Sequence, residues 1–123
     1  MTGFGLAGHL AEMLNASGVS AKLNVADVPV LDGCQALIEA GIESTLAPDN
    51  RAVAGKIDLM GANLAGNSNA VLFDPQTGGG LLFGVSPANA ETVIKFLVDS
   101  GFESTVVVGE VTEEAKQPSL QLR

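Results

Sequence analysis

Glycine placement constrains this chain more than any other feature. Fifteen of its 123 residues are glycine, against about nine at the usual share of ~7%. Single glycines at Gly18, Gly41 and Gly101 each follow an apolar, helix-like segment and read as helix stops. The others of note fall into two clusters, Gly3/Gly5/Gly8 and Gly78–Gly80. Clusters of this kind interrupt regular structure and let a backbone come close to a neighbour or a ligand.

Between those marks the chain alternates helix and strand signals. Residues 3–16 read as a helix, with Leu6, Leu10, Met13 and Leu14 on one face and Thr2 as N-cap. Residues 20–25 alternate as a half-buried strand, Ala21, Leu23 and Val25 inward. Asp32 caps a predicted short helix over 33–40 with Cys34, Leu37 and Ile38 inward. From Gly41 to Asn69 the pattern predicts irregular connections: a turn at Pro48, Asp49 and Asn50, breaks at Gly55, Gly61 and Gly66, and a short strand near Lys56–Met60. Residues 70–73 (AVLF) and 81–85 (LLFGV) read as buried strands. Ser86-Pro87 starts a further helix carrying Ala90, Val93, Ile94, Leu97 and Val98 as its apolar stripe. Residues 105–111 (TVVVGEV) predict a strand with a bulge or close approach at Gly109, and a last strand lies around Ser119–Leu122. Mixed order without strict βαβ alternation predicts a single α+β domain over residues 1–123, its helices packed on a mixed, largely antiparallel sheet.

Composition excludes several functions. A mass of 12.5 kDa is one domain's worth. With 46% hydrophobic residues and a mean hydropathy of +0.33, the chain can fill a core. Six Lys+Arg against 14 Asp+Glu give a net charge of −8, which argues against nucleic acid or an anionic membrane as partner, since phosphate backbones need clustered cations. Five Phe with no Trp or Tyr leave little to stack on bases. The lone Cys34 makes no internal disulfide and reads as a small buried hydrophobe. No signal peptide or membrane span is legible, and the expected location is the cytoplasm.

Chemistry gathers at the two glycine clusters. In Thr2-Gly3-Phe4-Gly5-Leu6-Ala7-Gly8-His9, the glycines lie in the first turns of a helix, where each costs up to ~1 kcal/mol relative to alanine. Either a ligand approaches there, with anions favoured by the helix dipole, or another element packs tightly; tight packing is the preferred reading. In Phe73-Asp74-Pro75-Gln76-Thr77-Gly78-Gly79-Gly80, the triple glycine allows positive φ and a nest of N–H donors. Asp74 suits either an Asx-turn or a hard cation, and Thr77 can donate to phosphate. His9, the only histidine, reads as structural, and of the basic residues only Arg51 and Lys56 lie where a ligand might meet them. There is no paired acid/base carboxylate signal and no nucleophile motif, so no catalytic residue and no metal ligand is assigned.

The two stretches TGFGLAGHLAEML and FDPQTGGGLLFGV, in this order and followed by Gly109-Glu110-Val111, resemble the C-terminal domain of selenophosphate synthetase (selenide, water dikinase) over essentially the whole chain. The resemblance implies an α+β fold shared with aminoimidazole ribonucleotide synthetase, thiamine-monophosphate kinase and a hydrogenase maturation factor. It implies an enzyme that turns ATP, selenide and water into selenophosphate, AMP and phosphate with magnesium. A separate N-terminal ATP-binding domain would carry the reactive Cys and Lys, and the present domain would close over the nucleotide phosphates. Thr2, Gly3 and Gly5 would then help position phosphates from the helix start, and Asp74, Gln76, Thr77, Gly78, Gly79 and Gly80 would form the opposite wall. Two positions depart from the family pattern: Met1-Thr2 stands where an Asp-Val precedes the Thr, removing a metal-ligand Asp, and Gly78 replaces a Ser. The expectation is an excised domain or truncated homologue, incomplete alone and binding neither ATP nor magnesium tightly. The alternatives are a non-catalytic interaction module with the same fold, or the C-terminal domain of another ATP-dependent enzyme of the superfamily.

Overall fold

Leu23, Leu72, Phe73 and Leu120 are removed from solvent, and the elements that carry them define the architecture. A computed structural model describes residues 1–54, 58–60 and 67–123. In chain order the elements are α1 (Gly5–Ser17), β1 (Val19–Leu23), α2 (Cys34–Glu39), α3 (Ala47–Ala54), β2 (Asp58–Met60), α4 (Ala90–Asp99), β3 (Gly109–Glu114) and β4 (Ser119–Leu122), with short 3-10 turns at Val25–Asp27, Asn67–Leu72 and Pro87–Asn89.

The sheet runs β2-β4-β1-β3. β1 pairs antiparallel with β3 and parallel with β4, and β2 pairs parallel with β4. The sheet is therefore mixed, as expected, but antiparallel pairing does not dominate it. The reason is that β4 returns beside β1 in the same direction rather than forming a hairpin with β3. Across β1 and β3, Lys22 lies opposite Glu110 and forms an ion pair with it at 3.2 Å. Gly109 enters the sheet where a Cβ would lie 2.1 Å from the Lys22 carbonyl oxygen, which is the close approach its position in the sequence predicts.

α1 covers this sheet. Its inward face is Leu6, Ala7, Ala11 and Leu14, which join Ala21, Leu23, Leu72, Phe73 and Leu120 in one core. Met13, expected on that face, is exposed, and small alanines take the place of a wider apolar stripe. Gly18 ends α1 in the left-handed region, and Gly41 and Gly101 follow α2 and α4 with positive φ, so all three expected stops are present.

Several elements differ from the sequence expectation. Pro48, Asp49 and Asn50 do not turn the chain; they form the start of α3, because proline is tolerated in a first helical turn. Residues 70–73 are not a strand: the 3-10 turn at Asn67–Leu72 delivers Leu72 and Phe73 to the core. Among the described residues, 81–85 and 105–108 are in no strand, although the Val108 carbonyl accepts from the Asn24 N–H at 2.8 Å, and Leu81, Phe83, Val85, Val106 and Val107 are exposed. Apolar character alone does not make a strand, which also needs a partner for its N–H and C=O groups. α2 and α4 bury no residue fully, so Leu37 is exposed and the α4 stripe is only half-covered at Val93, Ile94 and Leu97. Cys34 is a free, half-buried thiol. Lys56, Gly55, Gly61 and Gly66 lie outside the described residues, and β2 begins at Asp58.

Candidate functional site

The two glycine clusters, some seventy positions apart in sequence, meet at the start of α1. Gly5 has φ +69°, and a Cβ there would lie 2.8 Å from the Leu72 carbonyl oxygen, 3.0 Å from the Phe73 carbonyl carbon and 3.1 Å from the Asp74 carbonyl oxygen. Of the two readings open at this cluster, tight packing holds at Gly5: the partner is the backbone that leads into the Asp74–Gly80 loop. At Gly3 a Cβ would meet nothing within 4 Å, so packing does not require glycine there.

Backbone hydrogen bonds join the two segments. The Gln76 N–H donates to the Thr2 carbonyl at 3.1 Å, and Gly5 N–H donates to the same oxygen at 3.2 Å. The Met1 amino group donates to the Gly80 carbonyl at 2.7 Å. At Gly79 a Cβ would fall 2.8 Å from the Gln76 Cβ and 3.2 Å from the Met1 Cβ. Thr2, Gly3, Asp74, Gln76, Gly79 and Gly80 thus lie close together over buried Gly5, with Thr77 and Gly78 exposed between them on the loop.

Some expected roles change. Thr2 is not the N-cap of α1; Phe4 is, without a side-chain cap bond. The Thr2 N–H donates to His9 Nε2 at 3.0 Å, and Thr2 Oγ1 lies 3.0 Å from the same atom. An accepting Nε2 leaves the ring proton of a neutral imidazole on Nδ1, which faces Glu12 Oε2 at 3.6 Å. The imidazole therefore ties down the chain entering α1, and Phe4 packs edge-on against it. Asp74 sits in a turn closed by Gln76, whose Nε2 donates to the Asp74 carbonyl and to Oδ2, both at 3.3 Å. Gly78, Gly79 and Gly80 all have negative φ, so they do not form the αR-αL nest their run suggests.

One residue absent from the sequence-predicted site completes it. Asn50, on α3, is 6% exposed, and its Nδ2 donates to the Gly3 and Phe73 carbonyls, each at 2.8 Å. Its neighbour Arg51 does not reach toward a ligand: it pairs with Glu43 and lies 5.8 Å over the Phe73 ring. That hydrogen bond holds the Glu43 carboxyl below its ordinary value. Reading Pro48–Asn50 as a turn hid both contacts, because only a helix puts Asn50 on the inner side.

Residues 1–119 match the family described as AIR synthase related protein, C-terminal domain. The chain belongs to this family. The chain is similar to a selenide, water dikinase of Pelobacter propionicus, 41% identical over 114 residues, which cover 93% of this chain and 33% of that protein. A selenide, water dikinase of Dechloromonas aromatica is 38% identical over 113 residues, 92% of this chain and 32% of the other. One of Salmonella typhi is 39% identical over 113 residues, 92% and 31% respectively. The chain thus spans about a third of the length of the curated relatives it matches. As a member of the AIR synthase related family it keeps the α+β architecture expected from its sequence.

Two further properties bear on chemistry. Among the described residues, no three His, Cys, Asp or Glu side chains group so as to hold a metal ion. No helix among them is long and apolar enough to cross a membrane.

Proposed function

We propose that this chain is the C-terminal domain of a selenide, water dikinase, acting on ATP, selenide and water to give selenophosphate, AMP and phosphate. It works with an N-terminal ATP-binding domain of the same enzyme, in the cytoplasm. The observation that carries this reading is the convergence of the two glycine-rich segments onto one surface, in a chain similar to proteins of that name over more than nine-tenths of its length.

On this reading Thr2 and Gly3 form one wall that faces the nucleotide phosphates, and buried Gly5 positions that wall by packing against the Leu72–Asp74 backbone. Asp74, Gln76, Thr77 and Gly78–Gly80 form the other. Thr77 is exposed and offers a hydroxyl donor, and the exposed glycines leave room for phosphate oxygens to approach the backbone. Magnesium enters with the nucleotide on this reading. A net charge of −8 opposes ATP binding by this chain alone, so affinity comes chiefly from the N-terminal ATP-binding domain.

The test is an assay of AMP release from ATP and selenide. The 123-residue chain alone is expected to give none. The same chain replacing the matched third of the Pelobacter propionicus relative is expected to give AMP and selenophosphate. AMP formation by the chain alone, or a folded hybrid without product, overturns the reading.

A further inference from the structure

We propose that Asn50 is a positioning residue that locks the two glycine-rich segments into one rigid phosphate-facing surface; the inference rests on the functional reading above. Both partners of its carboxamide are carbonyl oxygens, so the nitrogen rather than the oxygen must face them. Each of the two N–H groups serves a different segment: one holds Gly3, at the entry to α1, and the other holds Phe73, at the root of the Asp74–Gly80 loop.

Few side chains can do this. Aspartate has no donor, serine has one, and the longer donors do not fit a residue left 6% exposed beside Phe73. Other contacts hold α3 at this place. Ala47 is buried, and Arg51 is fixed between Glu43 and the Phe73 ring. Asn50 is therefore delivered by a helix that buried Ala47 and the Arg51–Glu43 pair also hold in place. Without it, the Gly3 and Phe73 carbonyls each lose a buried donor, and what remains between the segments is the Gln76-to-Thr2 and Met1-to-Gly80 hydrogen bonds and the contacts at Gly5 and Gly79.

The experiment is amide hydrogen exchange by NMR on the full chain and on Asn50→Leu and Asn50→Ala. Leucine fills the volume without donors. Both variants are expected to speed exchange at Gln76 and Gly5 by about tenfold or more, while Asn24 and Arg123, bonded to Val108 and Leu23 at the sheet, keep their rates. Uniform acceleration, no acceleration, or protection retained by leucine alone overturns the proposal, because each marks a role in packing or global stability only. Should the variants not fold, the unmodified chain decides. The Asn50 carboxamide protons are expected to exchange more slowly than those of exposed Asn15, and equal rates overturn the proposal. None of these readouts needs a ligand. Selective exchange in a chain whose hybrid makes no product would leave the Asn50 lock standing and the functional reading refuted.

Discussion

At Gly5 a single hydrogen decides whether the two segments can meet. An L-residue there takes on the left-handed backbone, at ~1–2 kcal/mol, and also drives a Cβ into the Leu72–Asp74 backbone. Gly5→Ala is expected to destabilise the chain by about 2 kcal/mol or more, read from denaturant midpoints. Gly3→Ala, where the space is open, should cost well under about 1 kcal/mol. Equal effects at the two positions would contradict the packing described. Glu43 supplies a second residue-scale prediction. Its folded carboxyl is held low by Arg51, so the ionised pair contributes stability above the ordinary carboxylate pKa and loses it as pH falls through the depressed value. Glu43→Gln should be slightly less stable than the native chain at about pH 7, and the difference should close as the pH is lowered through the depressed carboxyl range. A difference that persists at the lower pH would contradict the pairing. Single glycine stops were readable in the sequence because a positive φ after a helix has a local cause. Asn50 was not, because its partners lie 47 and 23 positions away.

Elements divide by whether they found a partner. α1, β1 and β4 carry the core, so Leu120→Ala on β4 is expected to cost ~2–5 kcal/mol. α4 has the strongest helical apolar stripe in the sequence, yet Phe96 on it is 68% exposed, and Leu81 before it is 88% exposed. Phe96→Ser and Leu81→Ser are therefore expected to change the unfolding free energy by less than about 0.5 kcal/mol. A cost matching that of Leu120→Ala would mean that these residues are packed. The same contrast explains where sequence reading stopped. Periodicity found α1, α4 and the final strand because their patterns are local. It could not separate a 3-10 turn from a strand at residues 70–73, since both place two large apolar residues inward. It also could not see that residues 81–85 and 105–108 form no strand among the described residues, or that β4 pairs in parallel with β1.

For the whole molecule, family membership and the mixed α+β layout were legible because the two motif stretches occur in one order along the chain. Their contact in space was not, since it depends on α3 and on the turn that delivers Phe73. On the proposed function these distant stretches make one phosphate-facing surface. The most direct measurement is an amide NMR titration of the chain with magnesium pyrophosphate at millimolar concentration. Weak binding is expected, with shifts confined to Thr2–Gly5 and Asp74–Gly80 and rising together along one saturation curve. Shifts in only one segment, shifts centred on α4 or the sheet, or none at all would contradict it.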